Sequence, residues 1–87
     1  MSSHKRKDVA KRVARIHGHV HGIMEMIDEG RSYSEIVQQI SAVKAALDST
    51  VQVIIDDLVE DCVAKAGKKD PEMNKTLLEI QQVVSRL

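Results

Sequence analysis

At 87 residues, with no Phe or Trp and a sole tyrosine, the chain is one domain at most, and a folded monomer would hide only about 60–65 % of the surface its unfolded form exposes. Cys62 is the only cysteine, which excludes an intramolecular disulfide, and no apolar run reads as a signal peptide or membrane span, so a reducing cytoplasm is the expected location. The 13 basic and 13 acidic residues balance overall but not locally: residues 4–15 hold six basic side chains against one acidic, and residues 25–61 hold nine acidic against two basic, so neutrality does not exclude a polyanion partner for the basic end.

Val9, Val13, Ile16, Val20, Ile23 and Ile27 recur at alternating spacings of four and three, which predicts a first helix over about 5–29. Inside it, RIHGHVHGI (15–23) sets three histidines at alternate positions. Alternate residues of a helix stand about 200° apart, so the three rings cannot share a face. His17 and His21, at i and i+4, do point the same way; they are either surface histidines or two ligands of a metal ion such as zinc or nickel that still needs others. His19 falls in the row of Arg12 and Arg15. Gly18 and Gly22 each cost about 1 kcal/mol relative to Ala within a helix, which points to a close backbone approach, either to another helix or to a phosphate.

Gly30 is a left-handed cap candidate, and Ser32-Tyr33-Ser34-Glu35 matches a capping box, with Ser32 accepting from the new helix and Glu35 reaching back. A second helix is expected over 33–66. Ile36, Ile40, Val43, Leu47, Ile54, Leu58 and Cys62 form one apolar row, and Val37, Val51, Ile55 and Val59 widen it beyond what one neighbour needs. Asp56, Asp57, Glu60 and Asp61 read as a solvated acidic face. Gly67-Lys68-Lys69-Asp70-Pro71 breaks the pattern, with Asp70 as N-cap and Pro71 at the first helical position, and a third helix follows over 71–86. The long helix would run roughly 50 Å, and the third covers less than half of it. An obligate helical oligomer follows, most simply an antiparallel dimer, with a tetramer as its further pairing. No nucleophile–base arrangement or phosphate loop supports an enzyme.

RIxGHVxGI at 15–23, QQISAVKAAL at 38–47 and the late Cys62 together resemble the CsoR/RcnR family of bacterial repressors, over nearly the whole chain and with His19 where Gln is usual. The resemblance implies an all-α fold, a three-helix subunit with two long antiparallel helices and a short third, assembling as a dimer of dimers. It also implies a repressor that leaves a double-stranded DNA operator when a metal ion or reactive small molecule binds. Arg12 matches a family arginine implicated in operator contact, and Lys11, Arg15 and Lys44 extend that surface, chiefly toward phosphates, so affinity should fall steeply with salt.

The copper-sensing branch uses a Cys near the start of helix two, supplied by the opposite subunit, then a His and a Cys four residues apart near its end. Matching positions here hold Tyr33, Leu58 and Cys62. Leucine has no donor and one thiolate under-coordinates a soft monovalent ion, so copper at the usual site is not expected. The persulfide- and formaldehyde-sensing branches need a Cys where Tyr33 stands. Three effector routes remain: a transition metal (copper, nickel or zinc) held through Cys62, His17, His21, His4, Met24 or Met26; a response through Cys62 alone; or lost induction. Met24, Met26 and Cys62 also fit plain packing roles. The alternative function is a family-fold oligomer acting as a non-inducible regulator, or as a metal-binding or interaction module without DNA binding.

Overall fold

A computed structural model describes residues 3–68 and 71–87. It comprises α1 (Ser3–Asp28), α2 (Tyr33–Lys68) and α3 (Met73–Ser85), the three expected helices. Gly30 stops α1 at φ 74°, a conformation that costs a residue without Cβ nothing. Its N–H donates to the Ile27 carbonyl at 3.1 Å and that of Arg31 to the Met26 carbonyl at 3.0 Å, the paired bonds of a Schellman stop. Ser32 Oγ then accepts from the Glu35 N–H at 3.2 Å and starts α2. The reciprocal arm of the capping box is not made. The Glu35 carboxylate accepts instead from Arg31 Nε at 2.7 Å, a charged donor that outcompetes a neutral backbone N–H.

The third helix begins later than the proline suggested. Pro71 and Glu72 form a turn, Glu72 occupies the N-cap position without a side-chain cap bond, and the Thr76 N–H reaches back to the Glu72 carbonyl at 3.2 Å. The expected cap Asp70 lies outside the described residues, as does the side chain of His4.

α2 is the spine, touching both α1 and α3. α1 runs antiparallel to it, and the pairs Lys5–Glu60, Arg12–Ser49 and His19–Gln39 record the register. The broad apolar stripes divide into two rows of period seven. Val9, Ile16 and Ile23 of α1 turn toward α2, while Val13, Val20 and Ile27 stay 48 %, 42 % and 56 % exposed. On α2, Ile36, Val43, Thr50 and Asp57 turn inward, and Ile40 and Leu47 face out. The core is correspondingly small: a cluster of Ile23, Ile36 and Val43, with Ile16 and Met26 packed against it, and Leu58 buried farther along α2. Met26 is thereby a packing residue, whereas Met24 is exposed.

The acidic group 56–61 is a solvated face only in part: Asp56 and Glu60 are exposed, whereas Asp57 is buried and Asp61 half-buried. Asp57 is 3 % exposed, Glu60 pairs with Lys5 at 2.6 Å, Asp56 accepts from Gln52 at 2.9 Å, and Asp61 accepts from Lys65 at 2.9 Å and from the buried Thr76 at 3.0 Å. The reason is tertiary: the basic start of α1 docks on one side of this turn of α2 and α3 on another. Hydrogen bonds from Lys65 and then Thr76 hold the Asp61 carboxyl below the usual carboxylate range, and the Glu60 contact lifts Lys5 above the usual lysine range.

The whole measures 58 × 24 × 13 Å, a layer about one helix thick. Its radius of gyration is 17.4 Å, against about 12 Å for a compact chain of this length. No helix among the described residues is long and apolar enough to cross a membrane.

Candidate functional site

Lys11, Arg15, Gly18 and Gly22 follow one another at steps of four, three and four, so they share one row of α1. Lys11 and Arg15 are exposed and make no ion pair among the described residues. Gly18 and Gly22 continue the row without side chains, and a Cβ placed on either would meet nothing within 4 Å. The close approach expected of them is therefore not made to another helix of the same subunit.

Arg12 lies at the edge of this row and is half-buried. Its Nε donates to Asp8 at 3.2 Å and its Nη1 to Ser49 Oγ at 3.3 Å, which ties the arginine to the α1–α2 seam. One turn on from Arg15, His19 is also half-buried, and its ring nitrogen Nε2 lies 2.7 Å from Gln39 Oε1. Arg12, Arg15, Ile16, His19, Ala46, Ser49 and Thr50 line a cleft of about 290 Å³. A second cleft, of about 400 Å³, lies toward the start of α1 among Lys5, Lys7, Asp8, Lys11, Val53 and Asp56. There lysines and carboxylates alternate, so it offers less net positive charge than the Lys11–Arg15 row.

Lys44 is exposed on α2 but stands about 140° around the helix from Ser49 at 100° per residue. It shares a flank with the outward Ile40 and Leu47, and one subunit does not bring it to the arginine cleft. Gln39, Ser49 and Thr50 were not singled out from sequence. The signal for them was the hairpin itself: a reversal at Gly30 pairs Arg12 with residues near 49–50.

The sensor positions are equally specific in their placement. Leu58 is 1 % exposed, the most completely buried side chain among the described residues, and Tyr33 is 86 % exposed. Cys62 is a free, half-buried thiol near the far end of α2, about 44 Å along the helix from Tyr33 at 1.5 Å per residue. These residues do not fit a Cu(I) ion at that site. His17 is exposed, and His21 Nδ1 lies 3.3 Å from Glu25 Oε1 at the surface. Among the described residues no three His, Cys, Asp or Glu side chains of one subunit gather to hold a metal.

Comparison with known proteins gives a consistent result. A family model described as metal-sensitive transcriptional repressor matches residues 5–86. The copper-sensing transcriptional repressor RicR of Mycobacterium tuberculosis is 33 % identical over 84 residues, covering 95 % of this chain and 88 % of that protein. The copper-sensing transcriptional repressor CsoR of Bacillus subtilis is 37 % identical over 67 residues, 77 % of this chain and 66 % of that protein. Among solved structures, the nickel-responsive transcriptional regulator InrS superposes with a TM-score of 0.78 at 30 % identity, over 92 % of this chain and 89 % of that one.

Proposed function

The chain belongs to the metal-sensitive transcriptional repressor family, a family of regulators rather than enzymes, and we propose that it binds its operator through the α1 row of Lys11 and Arg15, with Arg12 beside it at the seam. The observation that carries this reading is the unpaired state of Lys11 and Arg15 among the described residues, on the row of α1 that Gly18 and Gly22 continue without side chains. Cations without an internal partner release counterions when they meet phosphates, and this drives association with DNA. Lys44, on the other flank of α2, joins that face from a second subunit.

Oligomerisation supports the same reading. A layer one helix thick, with Val13, Val20, Ile27, Val37, Ile40 and Leu47 all at least 42 % exposed, leaves more large apolar side chains in water than its small core buries, which favours covering them with another subunit. A symmetric dimer covers them, and a tetramer presents several α1 rows at once. A cytoplasmic location accords with the free Cys62. For the effector we propose a transition metal bound by Cys62 or by His17 and His21, completed by ligands from another subunit, since one chain does not gather a full set.

The test is a salt titration of binding to a labelled duplex from the region upstream of the protein's own coding sequence. Sequence-selective binding that weakens linearly in log salt supports the reading, and no sequence preference at moderate salt overturns it. Comparing Cys62→Ala with His17→Ala/His21→Ala for nickel-, zinc- and copper-dependent release from that duplex decides the effector. Release unchanged in both variants removes both ligand assignments.

A further inference from the structure

We propose that α3 is a lid over Cys62, closed by a polar latch at Thr76, and that its local opening sets the rate at which a thiol-seeking effector, the proposed metal ion included, reaches the sulfur. The inference rests on the reading of Cys62 as an effector residue and adds to it the element that regulates access.

The latch is a closed ring of three side chains. Thr76 Oγ1 donates to Asp61 Oδ2 at 3.0 Å and accepts from Lys65 Nζ at 2.8 Å, and Lys65 Nζ lies 2.9 Å from the same Asp61 oxygen. The inward row of α3 is Met73, Thr76, Ile80 and Val83, yet only Thr76 of these is buried, while Leu77, Leu78 and Val84 are exposed. The best-covered side chain of the helix is thus a hydroxyl, whose bonds contribute little net because water replaces them when the seam opens. Thr76 Oγ1 also has a second acceptor on its own helix, the Glu72 carbonyl at 3.5 Å, which stays within reach after Asp61 is released. α3 is 13 residues long and meets α2 but no other described element, and a helix of this length is marginal by itself. Lifting it therefore costs less than unfolding the α1–α2 hairpin.

Cys62 lies under this lid. At 100° per residue, Leu58, Asp61, Cys62 and Lys65 fall within one arc of about 100° on α2, and the bonds of Asp61 and Lys65 to Thr76 turn that arc toward α3. Glu60, which receives Lys5 of α1, stands about 160° around the helix from Cys62. The half-burial of the thiol therefore comes from the α3 side and not from α1. Leu58, fully buried in the same arc, supplies the apolar pull that recloses the lid. Closure is apolar and the latch is polar, so losing the hydroxyl shifts the balance toward the open form without removing the surface on which α3 docks.

The experiment labels Cys62 in the assembled full chain with an excess of an aromatic disulfide reagent, which releases a coloured thiolate on exchange, and follows amide hydrogen exchange by mass spectrometry alongside. In the wild type, residues 73–85 exchange faster than the α1–α2 hairpin. Thr76→Val keeps the volume and removes the hydroxyl; it speeds both Cys62 labelling and exchange over 73–85 by about five-fold, the factor that one net hydrogen bond represents, and leaves hairpin exchange unmoved. Ile23→Val, in the hairpin core, speeds hairpin exchange and leaves the labelling rate as in wild type. Labelling unchanged in Thr76→Val, or accelerated as much by Ile23→Val, overturns the lid. Neither readout uses a metal, so the two readings fail separately: metal-dependent DNA release unchanged in Cys62→Ala overturns the effector reading, while the labelling rates alone decide the lid.

Discussion

Replacing Gly18 and Gly22 by alanine separates protein stability from DNA affinity. Each glycine sits inside a 26-residue helix, where it costs about 0.8–1 kcal/mol relative to Ala through backbone entropy. The new methyls have open space, with nothing within 4 Å of either position, so no steric term offsets that gain. The double variant should therefore be more stable by about 2 kcal/mol, and the thermal midpoint of a domain this size should rise by roughly 8–16 °C. Melts followed by far-ultraviolet circular dichroism at one fixed protein concentration measure this, since the midpoint of an oligomer depends on concentration. If Lys11 and Arg15 contact the operator as proposed, DNA affinity should move the other way, because the methyls would stand between the phosphate chain and the backbone of that row. A variant less stable than wild type would refute the reasoning, because it would mean the glycines lie against another protein chain. A stabilised variant with unchanged DNA affinity would remove them from the DNA face.

Four further outcomes are expected. Lys11→Ala/Arg15→Ala should weaken binding across all DNA sequences and reduce the salt slope by about 0.9 per lost phosphate contact, read from anisotropy titrations. Leu58→Ala should destabilise the protein by about 2–5 kcal/mol in urea denaturation, because that side chain is 1 % exposed. Thr76→Val should cost about 1 kcal/mol in the same assay, through loss of the hydroxyl that Lys65 and Asp61 share at 2.8 and 3.0 Å. The Asp61 carboxyl is held below its usual range by those partners, so its contribution is complete above about pH 4 and disappears as pH falls through the depressed value. Melts below about pH 4 should show that loss in the wild type and not in Asp61→Asn.

Much of the site was legible because its signals are local. The 4, 3, 4 spacing of Lys11, Arg15, Gly18 and Gly22 is a property of one helix, and so is the separation of the three histidine rings. Gly30 and Ser32 act within a few residues of themselves, and both form the stop and the cap that their residue types favour. The acidic turn 56–61, exposed at Asp56 and Glu60 but not at Asp57 and Asp61, is only half legible for the opposite reason. A run of carboxylates looks solvated when only its own helix is considered, yet Lys5 arrives from 55 positions away and Thr76 from the third helix. The His19–Gln39 bond, 20 residues apart in the chain, was likewise out of reach of local pattern. Pro71 misled at closer range: it sits in a turn before α3, since a proline's fixed φ suits a turn as well as a first helical residue.

The apolar rows pose a different problem, because periodicity says that a face exists but not which half of it turns inward. Val9, Ile16 and Ile23 are chemically equivalent to Val13, Val20 and Ile27, and burial by either set would satisfy hydrophobicity alone. The polar residues of the seam decide between them. Arg12 reaches Ser49 and His19 reaches Gln39 only when the helix is rotated so that Ile16 and Ile23 enter the core. The opposite rotation would leave the arginine cleft without its α2 wall. The side chains that line the arginine cleft therefore also fix the rotation of α1. That rotation leaves Val13, Val20 and Ile27 facing outward, so the arginine cleft and the exposed apolar row of α1 are set by one choice of helix orientation.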